Sequence, residues 1–202
     1  MLKGLSLACV GVLFGIAPMA HATVIFSENF SAVTPGTFTL GQAVGTGFTV
    51  TAGSIDAVGA GFFGALCVGG ETAPCVDLNG SSAGTLATSG LVLIPGNYLL
   101  SFVLNGSQRG VDASTTVSLG ALFTQTYITP SATANNMINQ AITVASGTTA
   151  VLSFASNTPG FIGSLLDNVS LSTEASAIPE PSSLLLCLGA LPLAWKLSRR
   201  RT

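Results

Sequence analysis

Residues 98–104 read Tyr-Leu-Leu-Ser-Phe-Val-Leu directly after Pro95-Gly96-Asn97. A turn tripeptide launching a short run of β-prone apolar residues is a strand signal. The same theme recurs at residues 24–30, 47–52, 76–79, 115–119, 122–128, 138–145, 150–154 and 165–172. Gly, Pro, Asn or Ser separates these runs, and no stretch between them carries apolar residues at helical spacing. Nine or more short strands with Gly-rich connections predict an all-β fold, a single β-sandwich. A body of about 150 residues suffices to bury a core. Ten phenylalanines, from Phe26 to Phe161, are available to fill the two inner sheet faces.

Charge narrows the function classes. Only 7% of residues are charged, against roughly 25% in a typical soluble protein. Between Thr23 and Ala177 the acidic residues are Glu28, Asp56, Glu71, Asp77, Asp112, Asp167 and Glu174, and Arg109 is the one base, a net charge of −6. Nucleic-acid binding needs several cations to neutralise phosphates, so that partner is excluded. His21, Lys3, Lys196 and Trp195 all lie outside this stretch. A Ser-His-Asp triad, imidazole metal ligands and a Schiff-base lysine are therefore missing from the body. Glu71, Asp77, Asp56 and Asp112 are the carboxylates a glycosidase would need, but no two sit in a recognisable catalytic pattern. No catalytic residue is assigned, and a non-enzymatic role is expected.

The two ends read as addresses. Lys3, the apolar run 5–16 and Ala20-His21-Ala22 make a three-part secretory signal over residues 1–22, with cleavage after Ala22 and Thr23 as the new first residue. Residues 23–175 form the expected ectodomain and 176–202 a terminal segment. That segment holds Pro179-Glu180-Pro181, an apolar helix over about 182–197, and Arg199-Arg200-Arg201. The helix is short for a core of about 30 Å, yet Trp195 and Lys196 suit an interface, and the arginines fix the tail on the cytoplasmic side. A plain single-span anchor is the alternative reading. The order Pro-Glu-Pro, apolar helix, arginine cluster resembles the PEP-CTERM sorting signal of exosortase substrates, a family of exopolysaccharide-making Gram-negative bacteria. The resemblance implies export through the inner membrane and an exosortase-type membrane enzyme as partner. It also implies a membrane-anchored precursor that is later placed on the cell surface or in the extracellular matrix, in company with exopolysaccharide. The same segment is also known as the C-terminal domain of ice-binding proteins. However, Thr37/Thr39, Thr49/Thr51 and Thr124/Thr126 keep no fixed period, so a Thr-laddered ice-binding solenoid is not expected.

Cys67 and Cys75 are the two cysteines of the body. In an oxidising compartment they should form a disulfide worth roughly 2.5 kcal/mol by loop entropy. Three stretches, Gly53-Ser54-Ile55-Asp56-Ala57-Val58-Gly59, Cys75-Val76-Asp77-Leu78-Asn79-Gly80 and Leu165-Leu166-Asp167-Asn168-Val169-Ser170-Leu171, are similar to the galactose-binding-like jelly rolls of anchored bacterial surface proteins. This resemblance implies a structural calcium shared by Glu28 and Asp167, two solvated carboxylates being the alternative. Tyr127 is the best-placed ring for stacking a sugar, and Arg109 with Asp112 offers a polar loop site, or merely a surface salt bridge. The expected protein is a surface- or matrix-sorted sandwich associated with polysaccharide. A carbohydrate-binding module is the alternative, and an ice-binding or glycoside-acting protein is a remote one.

Overall fold

The run at residues 98–104 extends to ten residues in the computed structural model, which describes residues 21–64, 66–68 and 74–174. The leader before His21, Glu71, Pro179, Glu180, Pro181, the apolar run and the arginine tail lie outside the described residues. Among the described residues there is no helix. The strands in chain order are β1 (Val24–Glu28), β2 (Gly36–Thr39), β3 (Ala43–Val44), β4 (Phe48–Ala52), β5 (Ser54–Val58), β6 (Cys75–Asp77), β7 (Thr85–Thr88), β8 (Leu91–Leu93), β9 (Gly96–Asn105), β10 (Ala113–Leu119), β11 (Phe123–Thr129), β12 (Met137–Val144), β13 (Thr148–Ala150), β14 (Leu152–Ser156) and β15 (Leu165–Thr173). They build a compact unit over Ala22–Glu174.

Two large antiparallel sheets result, with a separate two-stranded ribbon of β8 and β13. Sheet A runs β12-β9-β15-β6-β5-β2, with β1 also on β15, and sheet B runs β11-β10-β14-β7-β4-β3. The chain changes sheet repeatedly, which makes the fold a jelly-roll-like sandwich. Strand β10 shows why the sheets stack: Ala113, Thr115, Val117 and Leu119 are buried, while Ser114, Thr116 and Ser118 face out. Phe48, Phe102 and Phe154 meet edge-to-face between the sheets, at 5.2 and 6.0 Å between centroids.

Strand β15 organises sheet A. It pairs along its length with β9, while its other edge is divided: Leu165 and Leu166 take β6, and residues 169–172 take β1. A bulge at Asn168-Val169, with Asn168 at φ 50°, separates the halves. A second small cluster of Val58, Cys75 and Leu165, joined by Leu66 and Cys67, lies beside the expected Cys67–Cys75 disulfide, which is present with a Cα–Cα distance of 5.8 Å.

Two expectations need correction. Residues 150–154 are not one strand, because the chain breaks at Val151 between β13 and β14, which belong to different sheets. Nor do all ten phenylalanines serve the core: Phe63 and Phe161 are 58% and 66% exposed.

Candidate functional site

Asp77 is the hub of one end of the sandwich. Alternation places Val76 in the core and Asp77 on the other face of sheet A, where it stands opposite Asp56 of β5. Asp77 is 1% exposed. Its Oδ1 accepts the backbone N–H of Asn79 (2.9 Å) and of Gly163 (3.0 Å). Its Oδ2 takes the guanidinium of Arg109. Burial pushes the Asp77 carboxyl up to about 6, with the Asp56 charge adding to the rise. The two N–H donors and Arg109 pull the other way but lose to desolvation. Asp56 is bonded to Thr37 Oγ1 at 2.7 Å. Arg109 Nε is buried and has no acceptor among the described residues.

Three loops close on this hub. Asn79 Nδ2 donates to the carbonyls of Thr158 (2.8 Å) and Gly160 (2.9 Å). Ser114 N donates to Thr158 Oγ1, and Asn157 N to the Ser114 carbonyl, both at 2.8 Å. Ser164 Oγ bonds Thr115 and Thr129, and its carbonyl accepts Leu78 N. The segment 157–164 is thus pinned at both ends and in the middle, yet it holds Phe161 out in water. The 106–112 loop is tied to the 130–133 loop: Gln108 N and Gly110 N donate to Ser131, Gly106 N to Thr133, and Ser131 N to Asp112 Oδ1. Asp77 joins the two assemblies, since it holds Arg109 of one and Gly163 of the other.

The residues singled out in the sequence fare differently. Arg109 does not pair with Asp112. It pairs with the buried Asp77, and Asp112 instead caps Ser131 N. Tyr127 is not a free stacking ring: it is half-buried, packs on the core and meets Phe102 edge-on at 5.7 Å, and burial raises its phenol pKa. Glu28 and Asp167 are not brought together. Glu28 pairs with Val169 on the core side of sheet A, whereas Asp167 pairs with Val103 on the opposite face. The Glu28 carboxylate accepts Phe30 N (2.8 Å), Thr46 N (2.6 Å) and Thr46 Oγ1 (2.9 Å), which clasps β1 to the β3–β4 turn. Asp167 accepts Asn168 N at 2.7 Å. Two carboxylates on opposite faces do not make one oxygen cage for calcium. A concavity of about 470 Å³ lies away from Asp77, lined by Ser27, Glu28, Asn29, Thr46, Asn168 and Ser170. Sequence reasoning missed Asp77 as a hub and Phe161 as an exposed ring. The signal for Phe161 was its setting in Thr158-Pro159-Gly160-Phe161, a turn sequence rather than a strand.

Comparison with known proteins returns no matching family model and no matching curated protein. Among solved structures, the Lys-gingipain K1 adhesin domain of Porphyromonas gingivalis is 16% identical with a TM-score of 0.46, over 76% of this chain and 99% of that one. The C-terminal CBM6 of a marine laminarinase from Zobellia galactanivorans is 12% identical with a TM-score of 0.36, over 76% and 100%. An exo-β-1,3-galactanase from Phanerochaete chrysosporium is 16% identical with a TM-score of 0.37, and the match covers 72% of this chain but only 29% of the enzyme.

Proposed function

We propose that this protein is a non-enzymatic, polysaccharide-binding sandwich that grips a neutral sugar at the Asp77 end. The carrying observation is Phe161, a ring 66% exposed on a loop fixed by the bonds of Asn79, Asp77 and Ser164. A rigid loop loses little entropy on binding, so an aromatic ring held in water on such a loop is an efficient anchor for an apolar sugar face. Arg109 supplies hydrogen-bond donors on the same hub, for ligand hydroxyls. An acidic sugar is disfavoured because Asp77 and Asp56 already outnumber the one guanidinium. In this reading the leader and the Pro179-Glu180-Pro181 tail deliver the module to the surface or matrix, where its ligand lies.

The test is a glycan array with the purified protein and its Phe161→Ala variant. Binding confined to neutral glycans, and weakened about tenfold or more in the variant, is the expected result. Equal binding by the variant, or a preference for acidic glycans, would overturn the reading.

A further inference from the structure

Strand β8 departs from the pattern of a strand with one face in water. Leu93 is buried and Leu91 packs on the core, yet the alternate residues Val92 and Ile94 are apolar too, and they are 73% and 65% exposed. Pairing with β13 sets Thr149 opposite Val92, and β13 leads directly into Val151, which is also exposed. The ribbon is held firmly. Tyr98, whose ring is fully buried, donates its hydroxyl to the Ile94 carbonyl (2.9 Å) and accepts Ile94 N–H (3.0 Å). Residues 88–97 and 144–152 hold no charged side chain. Exposed apolar surface of this kind marks a contact with a partner or a membrane.

What covers the ribbon follows from where the body ends. Glu174 N donates to the Asn97 carbonyl at 2.8 Å, three residues past Ile94, so the chain leaves the sandwich at the ribbon. Only residues 175–181 separate that exit from the apolar run 182–197, a tether of about 25 Å at full extension. Strand β15 runs from Leu165, paired with Asp77, to Thr173, paired with Tyr98. Asp77, with Asp56 and Arg109, therefore lies at the far end from the ribbon. We infer that the ribbon end rests on the lipid bilayer, with Val92, Ile94 and Val151 set into its interface. The inference rests on reading 182–197 as a membrane anchor, and not on sugar binding. An anchor on so short a tether keeps the ribbon at high effective concentration beside the lipid. A patch too small to hold a membrane by itself then suffices. Anionic lipid repels the carboxylate-rich end and leaves the ribbon end as the one that approaches. The Asp77 end then points away from the bilayer.

The test uses the chain purified from membranes, carrying Cys9→Ser and Cys187→Ser, and reconstituted in phosphatidylethanolamine–phosphatidylglycerol vesicles. An environment-sensitive fluorophore on Val92→Cys should be blue-shifted. Spin-labelled lipid should quench it several-fold more than the same fluorophore on Ser82→Cys, an exposed position beyond Asn79 at the Asp77 end. Ile94→Asp should abolish quenching of a fluorophore on Thr149→Cys, with melting temperature and flotation with the vesicles unchanged. Quenching at Val92→Cys no greater than at Ser82→Cys, in a chain that floats, overturns the inference and leaves the anchor standing. Unaltered quenching in Ile94→Asp does the same. A chain that does not float overturns both readings. A blue shift without lipid quenching means that protein, a second copy included, covers the ribbon, and this too overturns the inference.

Discussion

Replacing Asp77 by asparagine separates the cost of burying its charge from the worth of its partners. Burial lifts the carboxyl from an ordinary 3.8 to about 6. Between those values the folded chain holds a proton that the unfolded chain releases, so stability rises as pH falls through this window. The full effect is about 3 kcal/mol, present below the unfolded value and lost as pH passes 6. Above pH 6 the ionised Asp77 is therefore a net burden despite Arg109. Asparagine removes that burden and keeps an oxygen for Asn79 N and Gly163 N, but it leaves Arg109 without its counter-ion. Arg109 is 23% exposed and can turn to water, which reduces the usual 3 to 5 kcal/mol, roughly, for breaking a buried pair. The two effects nearly cancel. Alanine leaves both N–H donors unsatisfied and should cost about 3–5 kcal/mol, or about 6–20 °C in melting temperature for a domain this size. Thermal unfolding of wild type and both variants at about pH 7.5 and about pH 5 measures this. Wild type should gain on acidification, relative to Asp77→Asn, and the asparagine variant should be far more stable than the alanine one. An asparagine variant as damaged as alanine at neutral pH, or one with the wild-type pH slope, would refute the reasoning.

Reduction of Cys67–Cys75, or the double serine variant, should lower stability by roughly 2.5 kcal/mol, read as a drop in the urea midpoint with little change of slope. Gly163→Ala should destabilise by about 1–3 kcal/mol, because a Cβ there would lie 2.6 Å from Asn79 Oδ1 and 2.7 Å from Asp77 Oδ1; a neutral result in calorimetry would contradict the packing of that loop. Replacing Pro179-Glu180-Pro181 by three alanines should leave insertion intact but trap an uncut form in the inner membrane, visible on a fractionation blot as a loss from the surface fraction.

The runs legible in the sequence are those rich in β-branched, leucine and aromatic residues, as in β9, β10 and β15. Strand β5 was hidden because its outward residues, Ser54 and Asp56, are polar yet buried under the loops. Its apolar partners Ile55 and Ala57 do not make a pattern alone. The disulfide was legible from compartment and count. The site was not, because its pairings join residues far apart in sequence: Arg109 to Asp77 across 32 positions and Asn79 to Gly160 across 81. Local reading set Arg109 against Asp112, its near neighbour, and had no means of seeing that Asp112 is taken by Ser131. Tyr127 failed for a related reason, since half-burial on β11 depends on Phe102 from the other sheet.

The divided edge of β15 also sets an order in time. β15 is the last strand of the body, and β9, β6 and β1 all take their places against it. Thr23 N donates to Thr173 Oγ1 at 2.8 Å, so the first and last residues of the body lie side by side. A chain emerging amino end first cannot seat β1 until some 150 later residues have followed, and contacts of such long range form slowly. Until then β1, β6 and β9 have no common neighbour, and sheet A exists only as separate pieces. The sandwich is thus a fold completed by its final nine residues, and a chain truncated before β15 would lose the strand that joins those pieces, not merely an edge.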